Sequence, residues 1–247
     1  MKKELTKIEL TKHIASALFV IYFCLLPFWI YYATWYQLIV GYLCYWFMQD
    51  IVQSLFMHRW ASHKFWNPPK WVQKILSLIA VVGLIGTPIT YAAWHRTHHA
   101  FSDTDKDPHS PTLQGWLHVV FAHYHTAEVK RATDRMRDSY FVWLTKNMMS
   151  LMILGNLAVF ILLPFTWFMT VWAIPVAYTI FNTNFGVLVL SHKSGKPENL
   201  SAWALPLLYD DGVFHKSHHD NPKLSQSKYD VSGWIVTKLG WTNEKIS

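Results

Sequence analysis

Residues Ile14 to Tyr32 make nineteen consecutive positions without a charge, nearly all of them apolar. Wound as a helix at 1.5 Å per residue, the run is ~28 Å long, close to the thickness of a bilayer's hydrocarbon core. In lipid every backbone N–H and C=O must bond within the protein, which leaves a helix as the spanning element for such a run. Runs of similar character recur at about 147–163 and 167–190. The prediction is an all-α membrane protein. Composition agrees, with 52% of residues apolar and 15% charged, where a soluble domain carries about a quarter charged. Cys24 and Cys44 both lie within apolar runs and read as buried thiols rather than as a disulfide or metal pair.

Four transmembrane helices are predicted, at about 14–32, 36–57, 147–163 and 167–190, in a single domain covering 1–247. Only Asp50, with Gln37, Gln49 and Gln53, interrupts the second; Asp50 is costly in lipid and so a functional candidate. Trp29, Tyr31, Tyr32, Trp35 and Tyr36 make an interfacial belt at the first turn. The chain opens Met-Lys-Lys, as a secretory signal does. The run after it is too long for one, and Ala33-Thr-Trp-Tyr is no cleavage site, so an uncleaved first span is expected.

The apolar stretch 75–93 is broken by Gly83, Gly86 and Pro88. A full crossing there would put the histidines before it and after it on opposite sides of the membrane, so it reads as interfacial or re-entrant. Thr87-Pro88 reads as a helix start, and Asn67-Pro68-Pro69 as the end of the preceding helix. Asp210-Asp211-Gly212 and Asn221-Pro222 bound a short helix near the C-terminus. Residues 58–146 and 192–247 then form a helical cap, and Phe101 to Lys146 is polar, basic and extramembrane. None of the 22 Lys and Arg residues lies in the outer turns Ala33–Tyr36 and Pro164–Trp167, which makes the cap and both termini cytoplasmic. The net charge of +7 is accounted for by orientation, anionic lipid or an acidic partner, with no nucleic acid.

Eight of the fourteen histidines fall into three clusters in this cap. These are His58-Arg-Trp-Ala-Ser-His63, His95-Arg-Thr-His98-His99 and His215-Lys-Ser-His218-His219. Spacing at i, i+3 and i+4 places three imidazoles on one helix face, where they can begin a coordination sphere but cannot close it. A structural zinc takes four ligands, so eight clustered histidines and His192 suit two metals. Imidazole accepts zinc, copper, iron or nickel and does not name the ion. Soluble di-iron bundles rely on carboxylates, which these clusters almost lack. A lone cluster is as readily a row of surface histidines; three at the same ends of apolar segments are not. His13, His109, His118, His123 and His125 have no such pattern and read as surface or structural histidines.

His-x4-His, His-Arg-x-His-His and His-x-x-His-His, in this order between these spans, resemble the integral-membrane fatty acid desaturases. The branch most similar is the acyl-CoA type that inserts the Δ9 double bond. Phe101-Ser-Asp-Thr-Asp-Lys-Asp-Pro-His109, His192-Lys-Ser-Gly195-Lys-Pro197 and Asp211-Gly212-Val-Phe-His215 resemble further motifs of that branch. The resemblance implies a four-span helical protein with a cytoplasmic cap of three histidine boxes and two Fe ions. Its implied metal ligands are His58, His63, His95, His98, His99, His192, His215, His218 and His219. Zinc can stand in for iron in recombinant protein. It further implies removal of two hydrogens from a saturated fatty acyl chain, acyl-CoA above all, by O₂ and two electrons from cytochrome b5 or ferredoxin. No fused cytochrome b5 domain is recognised, so a separate electron donor is expected. No side chain is assigned as acid or base. Two positions depart from the pattern: Leu188 stands where the family often has Asn, with neither Asn182 nor Asn184 further up the same helix an obvious substitute, and Lys216 replaces Asn in the third box.

Tyr42, Tyr45 and Trp46, three to four turns before His58, are candidate residues closing the acyl tunnel, and Trp46→Ala is then expected to lengthen the preferred chain. Two other functions compete. A di-iron membrane hydroxylase or ketolase of alkane, sterol or carotenoid is disfavoured by the His-x-x-His-His spacing with Arg96. A non-catalytic metal-binding or transport protein expects polar ligands at mid-membrane, which these spans lack. The implied location is a multi-pass membrane protein with membrane lipid around it, in a bacterial inner membrane or, in a eukaryote, the endoplasmic reticulum.

Overall fold

Pro27 cannot donate a backbone hydrogen bond and crowds the preceding turn, so the first apolar run forms two abutting helices, Lys2–Cys24 and Leu26–Tyr32. In the computed structural model, which describes residues 2–121, 129–201, 213–222 and 231–242, all further elements are helical as well. A lone antiparallel bridge joins Trp66 to Thr242, and no strand occurs among the described residues. Three helices are long and apolar enough to cross a membrane: Leu10–Tyr32, Ser139–Leu162 and Phe165–His192.

The third of these is the central one. Of its most apolar stretch 61% is buried, against 11% and 17% for the other two. The outer helices turn Phe28, Ile30, Leu154, Phe160 and Ile161 outward, as a lipid-facing surface requires. Cys24 is exposed on the same outward side, not buried as the sequence suggested. Ser139–Leu162 starts eight residues before the predicted span, because Asp138 accepts a hydrogen bond from the Tyr140 N–H (3.0 Å) and caps it there.

The predicted second span lies within a continuous helical path, Trp35–Trp46 and then Phe47–Ser62, the latter wound wider with i→i+5 bonds. It is not among the three candidate crossings, because Gln49, Asp50 and Gln53 lower its apolar character; all three are buried. Thr34 and Gln37 form a capping box at its start. It ends at Ser62, before the Asn67-Pro68-Pro69 signal, and Lys64 at φ 58° turns the chain away.

Two observations fix the polarity of the bundle. Tyr36 and Trp167, in the two predicted outer turns, have ring centroids 6.3 Å apart, so these turns share one end. His58 and His192 close the same helices at the other. Between the ends, Asn156 is a polar hub in an apolar setting. Its Oδ1 accepts from Tyr22 Oη and Trp172 Nε1 (2.8 Å each), and its Nδ2 donates to the Val82 carbonyl at 2.8 Å. Each such bond is worth about 0.6 kcal/mol in a membrane bundle.

The stretch 75–93 divides as two helices, Lys70–Val82 and Pro88–Phe101. The first has 13 residues and is ~20 Å long, short of a ~30 Å core. The reversal between them needs left-handed backbone at Leu84 (φ 64°) and Gly86 (φ 116°), and only glycine takes the second without strain. Gly155 lets Val82 approach so closely that a Cβ there would lie 2.7 Å from the valine methyls. Thr87 caps the second helix as predicted, accepting from the Thr90 N–H, with Pro88 in its first turn. His215–Asp220 ends at Asn221, also as predicted; Asp210, Asp211 and Gly212 lie outside the described residues.

Candidate metal centre

The second cluster occupies the last turn of Pro88–Phe101, so the His95, His98 and His99 rings leave one helix face together. The first cluster sits at the end of Phe47–Ser62, with His63 just past it; the third forms the six-residue helix His215–Asp220, and His192 terminates the central helix. The nine rings meet as two groups. His58, His63, His95, His99 and His218 form one, and His98, His192, His215 and His219 the other, with all ligand nitrogens of a group within 4.8 Å of one another. His99 and His219 stack across the boundary at 4.3 Å between centroids.

The contacts within the groups run from Nε2 to Nε2. In the first they are His58–His218 at 2.9 Å, His63–His95 at 2.8 Å, His95–His99 at 3.0 Å and His99–His218 at 3.1 Å. In the second they are His192–His215 at 2.8 Å, His215–His219 at 3.2 Å and His98–His219 at 3.3 Å. A neutral ring has a single N–H, and a nitrogen that bears the proton cannot also accept, so a run of three or four such contacts cannot be satisfied throughout by hydrogen bonding. Two imidazole nitrogens ~2.1 Å from one ion at a right angle are ~3 Å apart, which is the spacing found. The donor set therefore fits two metal ions.

Two rings are fixed from behind. His98 Nδ1 donates to Asp107 Oδ2 at 2.9 Å, and His192 Nδ1 donates to Asp103 Oδ2 at 2.7 Å. Such carboxylate partners set the tautomer and leave the Nε2 lone pair for a metal. Asp107 is itself held by the backbone N–H groups of Asp103 (2.8 Å) and His109 (3.0 Å), and Asp103 accepts from Ser110 Oγ at 3.1 Å. Sequence reasoning did not assign these aspartates. Their signal was available as carboxylates four and eight residues after the second cluster's last histidine, but the fold was needed to select them from Asp103, Asp105 and Asp107.

Burial first, then the neighbouring rings, pushes His95, His98 and His218 well below the usual histidine range, His99 to about 3 and His219 lower still. These rings are neutral at ordinary pH and keep their lone pairs. His109, predicted to be surface or structural, is buried and stacks on His98 at 4.4 Å. It forms a third group with His98 and Asp107. His123 and His125 lie outside the described residues.

Arg96 and Arg135 secure the first cluster's helix. Arg96 Nε donates to the Ser62 carbonyl (2.7 Å) and Nη2 to the Ala61 carbonyl (2.8 Å). Arg135 Nε also donates to the Ala61 carbonyl (2.9 Å), its Nη2 donates to the Trp60 carbonyl, and its guanidinium lies 4.2 Å over the Trp60 ring. The Ala61 and Ser62 carbonyls are among those a helix C-terminus leaves open, where positive charge is also favoured; the Trp60 carbonyl also accepts from the Lys64 N–H at 3.2 Å. Arg96 pairs with Asp134 as well (2.6 Å). Burial opposes ionisation of Asp134, but Arg96, with Arg135 and Lys64, outweighs it and holds the carboxyl well below the usual range.

A cavity lined mainly by apolar groups opens onto the rings of His58, His95 and His215, with Leu84, Ile85, Met148, Met152 and Ile180 among its walls. Leu188, at the position where the family often has Asn, lines it too. The proposed tunnel residues do not. Tyr42 faces outward at 51% exposure, Tyr45 is buried with its Oη accepting from Asn182 Nδ2 (3.0 Å), and Trp46 is half-buried. One turn on from Tyr45, Gln49 is the first wall residue on that helix. The reason is depth: Tyr45 shares the helix face of Gln49 but lies one turn farther from the histidines, where its ring packs on Tyr178 of the central helix at 4.8 Å between centroids.

Comparison with known proteins agrees with this geometry. Residues 27–231 match the family model described as "Fatty acid desaturase". An sn-1 stearoyl-lipid 9-desaturase of Anabaena variabilis is 28% identical over 200 residues, 75% of this chain and 72% of that one. An sn-2 palmitoyl-lipid 9-desaturase of Nostoc sp. (strain 36) is 28% identical, covering 79% of this chain and 75% of the relative. For an sn-1 stearoyl-lipid 9-desaturase of Synechocystis sp. the identity is 27%, over 86% and 69%. With the family model spanning most of the chain and the histidines grouped as a metal-binding oxidoreductase requires, this protein belongs to the fatty acid desaturase family.

Proposed function

We propose that this desaturase inserts a cis double bond at the Δ9 position of a saturated acyl chain carried by a membrane lipid. The observation that carries the reading is the meeting of nine histidine Nε2 atoms, in sets of five and four, at the end of an apolar cavity. His58, His63, His95, His99 and His218 would hold one iron, and His98, His192, His215 and His219 the other. Bound iron supplies the oxidation of an unactivated C–H pair by O₂ and two electrons, chemistry outside the reach of any side chain.

The chain's own residues prepare that site. Burial keeps the rings of His95, His98, His99, His218 and His219 neutral, and Asp103 and Asp107 hold the protons of His192 and His98 on Nδ1, away from the metals. The cavity walls align the chain beneath the rings and exclude water. The carrier follows the relatives, whose names specify stearoyl-lipid and palmitoyl-lipid, in place of the acyl-CoA implied by the resemblance. Electrons come from a separate carrier such as cytochrome b5 or ferredoxin.

Trp35–Ser62 is the second of four crossings in this reading. Its support is the outward stripe of Leu38, Ile39, Tyr42 and Leu43, apolar and exposed like the lipid faces of the other spans. Lys70–Val82 then lies at the interface, and the cap and both termini face the cytoplasm of a bacterial cell.

Expression in a host without an aerobic desaturase, followed by gas chromatography and mass spectrometry of its lipids, tests the reading. New cis-Δ9 monoenes, absent with His98→Ala/His99→Ala, are expected. Hydroxylated lipids instead of monoenes would move the activity to oxygenation. Labelled stearoyl-lipid vesicles beside stearoyl-CoA, with donor and reductase supplied, decide the carrier.

A further inference from the structure

The cavity that ends at the histidines carries one fixed charge in its walls. Among the described residues Lys12 borders it, and no other Lys, Arg, Asp or Glu does. Lys12 stands on the first helix, whose outer face meets lipid through Leu10, Val20 and Ile21, all exposed. Its neighbours Thr11 and Ala15 border the cavity from the same helix. Thr11 is buried, whereas Lys12 is half-buried, so the lysine touches both the cavity and the outside. The cavity therefore has a mouth there, on the flank of the bundle.

Packing further along the first helix confines that mouth to the turn bearing Lys12. One turn on, Ser16 Oγ donates to the Phe121 carbonyl at 2.7 Å. Phe19 then meets the Phe121 ring at 6.2 Å between centroids, and Phe23 meets Phe181 of the central helix at 5.3 Å. The depth is that of a bilayer's polar boundary. Lys12 lies just inside the candidate span Leu10–Tyr32, ~3 Å from its start, where a lysine keeps its ammonium among headgroups. The central span ends at His192, so lysine and metal ligands share one end of the bundle.

We propose that Lys12 binds the phosphate of the acyl carrier, so that the substrate class is an acyl chain on a glycerophospholipid. The inference rests on the desaturase reading and on this cavity as the acyl site. A chain still esterified to its lipid can pass between the first and central helices without leaving the leaflet, its headgroup staying level with Lys12. An ammonium has three donors, so it can hold a phosphate oxygen and keep a contact within the protein. Such charge-assisted bonds are about twice as strong as neutral ones. A neutral diacylglycerol has no charge to offer in that place. Held by its phosphate, the carrier end of the chain is fixed at the mouth, and this sets which carbons reach the rings of His58, His95 and His215.

The test supplies the full chain, its donor and its reductase with dipalmitoylphosphatidylglycerol, dipalmitoylglycerol or palmitoyl-CoA in neutral detergent micelles, and measures kcat and KM for each. Efficiency on the phospholipid is expected to exceed that on diacylglycerol by about tenfold or more. Lys12→Gln is expected to raise KM for the phospholipid and bring that ratio near one, whereas Lys12→Arg keeps it. If the glutamine variant does not accumulate, Lys12→Met, which retains the apolar stem, reads the same ratio. Equal use of the two lipids by the wild type, or a ratio unmoved by loss of the ammonium, overturns the inference alone. Coenzyme A also carries phosphate: a loss in Lys12→Gln confined to palmitoyl-CoA assigns the lysine to a soluble carrier and overturns the inference too. No desaturated product from any substrate overturns the desaturase reading and this inference with it.

Discussion

The two histidine groups are built to the same end by different means. The group of four is braced at its rings: Asp103 and Asp107 grip the Nδ1 atoms of His192 and His98, and a loop bonded to its own backbone holds those carboxylates. The group of five is braced through its backbone, where Arg96 and Arg135 bind the last carbonyls of the helix that presents His58. Ring bracing sets tautomer and basicity, whereas backbone bracing sets position. The lesson is that metal affinity and local stability should separate between the groups.

The largest effect that tests this contrast is loss of a ligand. His192→Ala should abolish desaturation and lower bound iron from about two ions per chain to about one, read by elemental analysis; loss of both ions would mean that the groups load as a unit. Acid comes next and acts on both groups. Unfolded histidine takes a proton near pH 6.5, whereas His95, His98, His99, His218 and His219 in the fold do so only far lower. The unfolded chain then binds more protons, and metal-free protein should lose stability as pH falls below about 6.5, by about 1.4 kcal/mol per pH unit for each such ring. Denaturant midpoints between neutral and mildly acid pH measure it, and a flat profile would count against neutral buried rings.

Asp107→Asn keeps the size of the side chain and removes its charge. Iron affinity should fall about 10- to 100-fold, in the group of four selectively; equal loss from both groups would erase the distinction. Arg96→Ala should instead cost about 2 kcal/mol of stability, with Arg96→Lys a poor rescue because an ammonium cannot reproduce the planar fork. Thermal unfolding in detergent reads both. The smallest effect expected is Tyr22→Phe, which removes one bond to Asn156 far from either group and should cost about 0.6 kcal/mol without changing iron content.

Much of the site was legible because its residues are close in sequence. His95, His98 and His99 share a helix face by spacing alone, and Thr87-Pro88 starts that helix where its chemistry says it should. The helix end at Ser62 was missed, because Lys64 turns the chain ahead of the two prolines. Cys24 was misjudged for a related reason: an apolar run does not say which of its faces meets lipid and which meets protein. Asp103 and Asp107 were visible only as part of a motif, since a carboxylate's partner eighty-nine positions away is set by the folded path.

Sequence alone determined the membrane class, the helical character and the identity of nine metal-binding candidates, because hydrophobic length and residue spacing are local properties that survive without any knowledge of neighbours. Tertiary structure decided how those histidines divide into five and four, which carboxylates stand behind them, and that Lys12 shares one cavity with His58, His95 and His215. Those facts depend on the rotation and depth of helices far apart in the chain. Packing of the central helix against its neighbours sets them, and a one-dimensional pattern does not encode that geometry.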